Sequence, residues 1–343
     1  MHADPDLRQL ADTYFEDRYG HEVVAAAEDA DLDAGQWKEV VDLQLNLIAI
    51  PEEHGGAGGT LPDLVAVLVA AGRNAAPLPL VEANLASWLA GCAGLAAPTG
   101  VSGVAVTGDV VVDGDRLSGT LPKVAWGRSL DSVVVVAGAQ VVRIDGAHAV
   151  VRRGVDLAGQ PHDDLTFDGA PVERGRAAVP AEQLRLRGLL LRAALMAGAT
   201  DGAFALTRSY TDERVQFGKP VGRFQAVAQH VVTLAQAASM SLLGVERAAA
   251  AMEQREAAFE VLACDTVVRE NAALAARASH QAHGAIGMTQ EYRLQQLTRR
   301  LNAWRLSRAY GGGSAAALGT AVSAQPSLAR LIFDAAPTLE DAR

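Results

Sequence analysis

Lysine is scarce in this chain: of 30 basic residues, all are arginine except Lys38, Lys123 and Lys219. The basic residues are outnumbered by 40 acidic ones, giving a formal charge of −10 and arguing against a general nucleic-acid binder. With so much alanine present, the arginine bias reads as genomic base composition rather than function. Cysteine is almost as rare. Cys92 and Cys264 stand far apart in apolar, helix-like surroundings, which excludes a disulfide framework or zinc knuckle and leaves buried structural roles. The eight histidines show no HxxxH or HxH spacing, with His280 and His283 the one near pair, so no metal site is expected. Half of the residues are hydrophobic. Even so, no apolar run reaches the roughly 18 residues of a membrane-spanning helix, and the most apolar one, 188–199, is interrupted by Arg192. Met1-His2-Ala3-Asp4-Pro5-Asp6 has neither the basic nor the apolar region of a signal peptide. No membrane partner and a cytoplasmic location are therefore expected.

Three compositional zones are present. From 7 to about 97, apolar residues recur at helical spacing (Leu7, Leu10, Ala11, Phe15; Val40, Val41, Leu43; Leu64, Val65, Val67, Leu68). Turn-like breaks at Pro51-Glu52-Glu53-His54-Gly55-Gly56 and Pro77-Leu78-Pro79 divide them. From about 101 to 180, short β-branched runs alternate with Gly/Asp turns, predicting strands of four to six residues in a compact sheet or barrel. From 182 onward the helical period returns over long stretches, 188–210, 224–255 and 257–280, as in an antiparallel bundle. The expected domains are 1–97, 98–180 and 181–343. The fold class is mainly α with a small central β-domain.

Two strings carry chemistry. The first runs Arg214-Val215-Gln216-Phe217-Gly218-Lys219-Pro220-Val221-Gly222-Arg223-Phe224-Gln225. Arg214, at a helix C-terminus beside a Gly-containing turn, can offer bidentate donors to a pyrophosphate. Gln225, in the first turn of the next helix, supplies a donor and an acceptor. The second runs Gln281-Ala282-His283-Gly284-Ala285-Ile286-Gly287-Met288-Thr289-Gln290-Glu291-Tyr292. Its glycines suit a C-cap and turn, and equally allow close backbone approach to a ligand.

Together the strings resemble the acyl-CoA dehydrogenase family, whose signatures run approximately R-x-x-F-G-x-P-[LI]-x-x-F-Q and Q-x-x-G-G-x-G-x-[TS]-x-E-[YF]. Leu45-Asn46-Leu47-Ile48-Ala49-Ile50-Pro51-Glu52-Glu53-His54-Gly55-Gly56-Ala57-Gly58 is similar to the family's N-terminal "GL-ipee-GG-G" stretch. The resemblance covers nearly the whole chain. It implies an N-terminal helical domain, a β-barrel-like middle domain and a C-terminal four-helix bundle. It also implies FAD at a subunit interface, an acyl-CoA substrate losing an α-proton to a glutamate and a β-hydride to the flavin, and an electron-transfer flavoprotein as oxidant. By motif, Arg214, Phe217 and Gln225 would contact the FAD. Gln281, Gly284 and Gly287 would touch its adenosine-diphosphate half across the interface.

The chain departs from the family where the base should be. The usual glutamate falls at Gly311 or Arg308, and no Asp or Glu occurs between Glu291 and Asp334. The alternative position, about 29 residues before the Phe-Gly, is Gly188, with Leu189 where an arginine is common, and no acid occurs between Glu182 and Asp201. Glu182 would lie about 9 Å of helix rise away. Glu291 reads as the motif's structural glutamate. Proton abstraction needs a positioned carboxylate, so no catalytic residue is assigned. The family's M-T-E-P-x-A-G-S-D-like flavin loop is missing, the β zone is short, and Gln229 with His230 stands where histidine is frequent. This pattern resembles the shorter subunit of heteromeric (α2β2) acyl-CoA dehydrogenases of bacterial steroid side-chain degradation, which completes the site of a longer partner. The alternatives weighed are a homo-oligomeric flavoenzyme with other chemistry and a non-enzymatic scaffold.

Overall fold

A computed structural model describes residues 2–28, 30–106, 108–138, 140–176, 181–324 and 327. The expected domain boundary at 180 and the final residues of the third zone lie outside that set.

Five helices form the first zone: α1 Pro5–Arg18, α2 His21–Ala26, α3 Ala34–Asp42, α4 Leu61–Arg73 and α5 Leu80–Cys92. Their starts are written locally. Asp4 caps α1 by accepting from the Asp6 and Leu7 amides, and Asp33 caps α3 through the Gln36 amide. Thr60 and Asp63 form a reciprocal capping box on α4. Asp63 also accepts from the Asp4 amide at 2.8 Å, tying the starts of α1 and α4 together.

The middle zone holds seven strands: β1 Ser102–Ala105, β2 Asp109–Asp113, β3 Arg116–Ala125, β4 Ser132–Ala137, β5 Gln140–Asp145, β6 Val150–Arg152 and β7 His162–Arg174. They make one sheet in the order β1-β4-β5-β7-β3-β2, with β6 beside β7. Only the β1–β4 pair is parallel among these. The 13-residue β7 organises the sheet, pairing β3 along much of its length and β6 and β5 on its other edge. Two of these strands exceed the four to six residues predicted. β3 was hidden because Gly119, Pro122 and Lys123 interrupt its alternation, and its register against β7 shifts at two places.

The third zone begins with α6 Ala181–Glu213, a 33-residue helix buried on every side from Leu186 to Thr200. A hairpin follows, β8 Val215–Gln216 and β9 Lys219–Pro220, then α7 Gln225–Gln254, α8 Ala258–His283, α9 Leu294–Leu306 and α10 Ser314–Ser323. α4 lies against α6 through glycine: a Cβ on Gly198 would meet the Val69 carbonyl oxygen at 2.0 Å, and one on Gly72 the Leu195 oxygen at 2.2 Å. The two helical zones consequently share a single hydrophobic core, in which Phe15, Leu64, Leu68 and Leu85 join Leu190, Met196, Val245, Val268 and Leu297. The sheet keeps its own, around Leu117, Leu121, Val133, Ile144, Leu165 and Phe167.

One expectation is corrected. Among the described residues two helices, α6 and α7, are long and apolar enough to cross a membrane by length and composition. Interruption by Arg192 does not prevent this, because an 18-residue window tolerates a charge. In α6 that window is 78% buried inside the protein, which marks a core helix; in α7 it is 22% buried. Val232, Met240 and Leu243 of α7 are exposed.

Candidate functional site

The C-terminal end of α6 carries the first string. The Arg214 amide still bonds the Tyr210 carbonyl at 2.9 Å, and the Arg214 carbonyl accepts from Val221 at 2.8 Å, closing the hairpin base. Phe217 and Gly218 are its two turn residues, with φ of 53° and 81°. Such a two-residue turn needs positive φ at both positions, for which Asn-Gly is the usual solution. A phenylalanine there costs on the order of 1 kcal/mol. Its ring is nonetheless 93% exposed, touching only the edge of Phe224 at 6.2 Å.

The second string ends α8 beside the first. Asn271 of α8 donates to the Ala237 carbonyl and the Ser241 hydroxyl of α7. That antiparallel register brings the start of α7, at Gln225, level with the end of α8, at His283. Tyr210, one turn before Arg214, stacks on His283 at 4.5 Å and donates to its carbonyl at 3.4 Å. His283 Nδ1 meets the Ser279 carbonyl at 2.8 Å, and Nε2 lies 3.3 Å from the Tyr292 hydroxyl. Burial pushes the His283 pKa down and favours the neutral ring.

At this end Arg214, Gln225 and Gln281 are exposed, and among the described residues their side chains make no hydrogen bond or ion pair. Gly284 has φ 66° and open space where a Cβ would be. Gly287 differs: it is buried, and a Cβ would strike the His283 Cβ at 2.9 Å. Glu291 is fully exposed; its own amide and the Thr289 hydroxyl hold its carboxyl below the usual range.

In the other half of α6, Arg187 and Arg192 are buried and hydrogen-bonded. At Gly188, a Cβ would lie 2.5 Å from the Tyr310 ring, so the phenol covers the place where a base would project. Arg192, one turn on, forms a 2.5 Å ion pair with Glu82 of α5, both side chains under a tenth exposed. The Arg192 guanidinium also lies 5.8 Å from the Tyr310 ring and 6.0 Å from that of Trp304. Burial pushes the Tyr310 hydroxyl well up, with Glu82 adding to it. Gly311 and Arg308 follow as backbone turn and exposed cation.

Beside Gly188, Arg187 is buried and forms no ion pair among the described residues, and burial brings its pKa to about 10. It donates to the Ala49 carbonyl and Asn84 Oδ1 and lies 5.1 Å over Trp88. Asn84 in turn donates to the Asn46 and Ile48 carbonyls. The Leu45–Gly58 stretch is thus pinned to α6 from below.

Residues 3–96 match the acyl-CoA dehydrogenase N-terminal domain and residues 187–323 the C-terminal domain. The chain belongs to the acyl-CoA dehydrogenase family. Curated relatives include acyl-CoA dehydrogenase FadE34 of Mycobacterium tuberculosis, 29% identical over 76% of this chain and 38% of that one. Acyl-CoA dehydrogenase IpdE2 of the same organism is 29% identical over 78% of this chain and 80% of its own length. Among solved structures, the ChsE4-ChsE5 complex from Mycobacterium tuberculosis superposes with TM-score 0.83 at 22% identity, covering 94% of this chain and 97% of that one. The Tcur3481-Tcur3483 steroid ACAD, as its G363A variant, gives 0.81 at 26% identity over 93% and 97%. As an acyl-CoA dehydrogenase family chain, the molecule has the expected mainly helical fold around a curled sheet.

The Tyr210–His283–Tyr292 stack and the Glu82–Arg192 pair escaped the sequence reading. The pair had a signal: Arg192 is the one charge within the apolar stretch 188–199 and needs a buried partner, and Glu82 is the lone acid of α5.

Proposed function

We propose that this chain is the supporting subunit of a heteromeric, FAD-dependent acyl-CoA dehydrogenase, lending contacts to a flavin held mainly by a longer homologous partner. The contrast between Arg214 and Phe217, both exposed, and the covered Gly188 carries the proposal. The residues at the open end fit the cofactor. Arg214 has the free bidentate donors a pyrophosphate takes, Gln225 and Gln281 have uncommitted amides, Phe217 offers an apolar face, and Gly284 admits close approach. Gly287 supports this set from beneath by letting the turn pack on His283.

When bound, FAD supplies a two-electron acceptor for the hydride leaving the β-carbon of an acyl-CoA thioester. This chain orients and shields that group. Removing the α-proton falls to a carboxylate of the partner, because Gly188 and Gly311 offer none and Tyr310 is held protonated by burial. Glu82 is engaged by Arg192.

The apolar residues exposed on α7 support a subunit contact. The ChsE4-ChsE5 complex supports a heteromeric assembly, which we take to be α2β2, and the Tcur3481-Tcur3483 steroid ACAD supports a bulky acyl group such as a steroid side chain. Reoxidation by an electron-transfer flavoprotein and a cytoplasmic location complete the proposal. The test is purification of the chain alone and with a co-expressed longer homologue, reading flavin absorbance and acyl-CoA-dependent dye reduction. Both should be present in the pair and absent from the single chain. Turnover by the chain alone would contradict the proposal.

A further inference from the structure

Where β4 starts and β5 ends, beside Thr99, the sheet carries a half-open groove of about 750 Å³, within the usual 300–1,000 Å³ range of small-molecule sites. Charges of both signs line it: Arg128, Arg143, Asp131, Asp145 and Glu173. The arginines are engaged, Arg128 with Asp163 and Asp31, and Arg143 with Glu173. Asp131 and Asp145 are held differently. Each is exposed and fixed through one oxygen: Asp131 Oδ2 accepts from the Val101 amide at 2.7 Å, and Asp145 Oδ1 from the Ala147 amide at 2.8 Å. Neither makes an ion pair among the described residues, and the second oxygen of each is uncommitted there. Ser132 joins them, following Asp131 in sequence and facing Asp145 as its register partner across β4 and β5. It is only 9% exposed, and its hydroxyl has no hydrogen-bond partner among the described residues. A buried hydroxyl left unpaired is costly and calls for a group that completes it. Leu130, Pro171 and Val172 give the same groove an apolar wall.

We propose that this groove binds a small primary alkylammonium ion. An ammonium carries three N–H donors and no acceptor. Asp131, Asp145 and Ser132 offer it two carboxylate oxygens and a hydroxyl, while Leu130, Pro171 and Val172 cover the alkyl body. A primary amine is protonated near neutral pH, as lysine is, and the field of a chain with formal charge −10 draws such a cation in. The groove shares no lining residue with the cleft bordered by Glu82, Arg192 and Tyr310, nor with the two flavin-facing strings. The inference therefore stands independently of the function proposed above.

Isothermal titration of the purified full-length chain tests it, with hexylamine, 1-hexanol, tetramethylammonium chloride, magnesium chloride and Nα-acetyllysine amide as probes. One equivalent of hexylamine should bind. Hexanol, which lacks the charge, and tetramethylammonium, which lacks the N–H donors, should each bind about ten-fold more weakly or worse. The Asp131→Asn/Asp145→Asn double variant keeps an acceptor for the Val101 and Ala147 amides and should raise the hexylamine Kd about ten-fold or more. Ser132→Ala should raise it by a smaller factor. Asp113→Asn/Asp168→Asn, an equal charge change at exposed positions elsewhere on the sheet, should leave it unaltered. Hexanol or tetramethylammonium binding as tightly as hexylamine, a double variant at 131 and 145 that binds normally, or equal weakening by the control pair would overturn the proposal. So would displacement of hexylamine by equimolar magnesium, which would make the groove an unselective cation site. Tighter binding of Nα-acetyllysine amide than of hexylamine would make it a docking site for a protein lysine and likewise overturn the small-molecule assignment.

Discussion

The two ends of α6 are built on opposite principles. Around Gly188 and Arg192 every charge has a partner or an aromatic face, and a tyrosine ring occupies the space a side chain would need. At the other end Arg214, Gln225 and Gln281 have no side-chain hydrogen bond among the described residues, and a phenylalanine is held in a strained turn facing solvent. An interior site that had kept its chemistry would show the reverse: a carboxylate free to accept a proton inside, and ordinary solvated turn residues outside. The difference teaches that one long helix can bury its charges at one end and leave exposed, uncommitted donors at the other, which is the contrast on which the proposed supporting role rests.

The buried end can be broken most severely at its ion pair. Glu82→Ala leaves Arg192 charged and buried, and removing one member of such a pair costs about 3–5 kcal/mol. Urea denaturation should show that loss, with much of it recovered when Arg192→Met accompanies Glu82→Leu. A loss under about 1 kcal/mol would show that water reaches the pair. At the open end, Arg214→Ala should leave urea stability within about 0.5 kcal/mol of the parent. In the assembled enzyme it should weaken FAD retention ten-fold or more, as loss of a charge-assisted bond of about 1.5–3 kcal/mol requires. Arg223→Ala, an exposed neighbour, should change neither; equal flavin loss in both variants would remove Arg214 from the site.

A smaller effect sharpens the same contrast. Gly188→Ala drives a methyl into the Tyr310 ring and should cost about 1–3 kcal/mol, as overpacking does. Tyr310→Ala in the same chain should relieve that added cost, whereas simple additivity of the two losses would mean that the ring does not cover Gly188.

The smallest expected effect is on pH dependence. The pKa of His283 is lowered in the folded state, so the unfolded chain binds its proton more readily. The stability it contributes is fully present above the unfolded value of about 6.5 and is lost as pH falls through the folded value. His162 and His280, also lowered mainly by burial, act in the same direction. Replacing His283 with Gln should flatten the decline of stability below about pH 6.5. An unchanged slope would mean that the ring is solvated.

Much of the helical architecture was legible because its signals are local. Apolar spacing, the Pro51–Gly56 break and the Phe-Gly turn all act within a few residues. The open end of the site was legible for the same reason, since its two strings are contiguous. Long-range pairing was not. β3 was obscured by its own Gly, Pro and Lys, and became a strand only because β7 runs beside it. Glu82 and Arg192 are 110 positions apart. Tyr210 and His283 are separated by 73 and meet only because α7 and α8 run antiparallel. Counting uninterrupted apolar residues also passed over α6, which is apolar enough on average despite Arg192, and its burial marks it as a core helix.

Flavin stoichiometry in the co-purified complex tests the central claim most directly. A chain that lends outward contacts but has repacked its interior around Tyr310 should give one FAD per heterodimer, and two in an α2β2 tetramer. A flavin in every subunit, or a homotetramer of this chain with full flavin occupancy, would contradict the account.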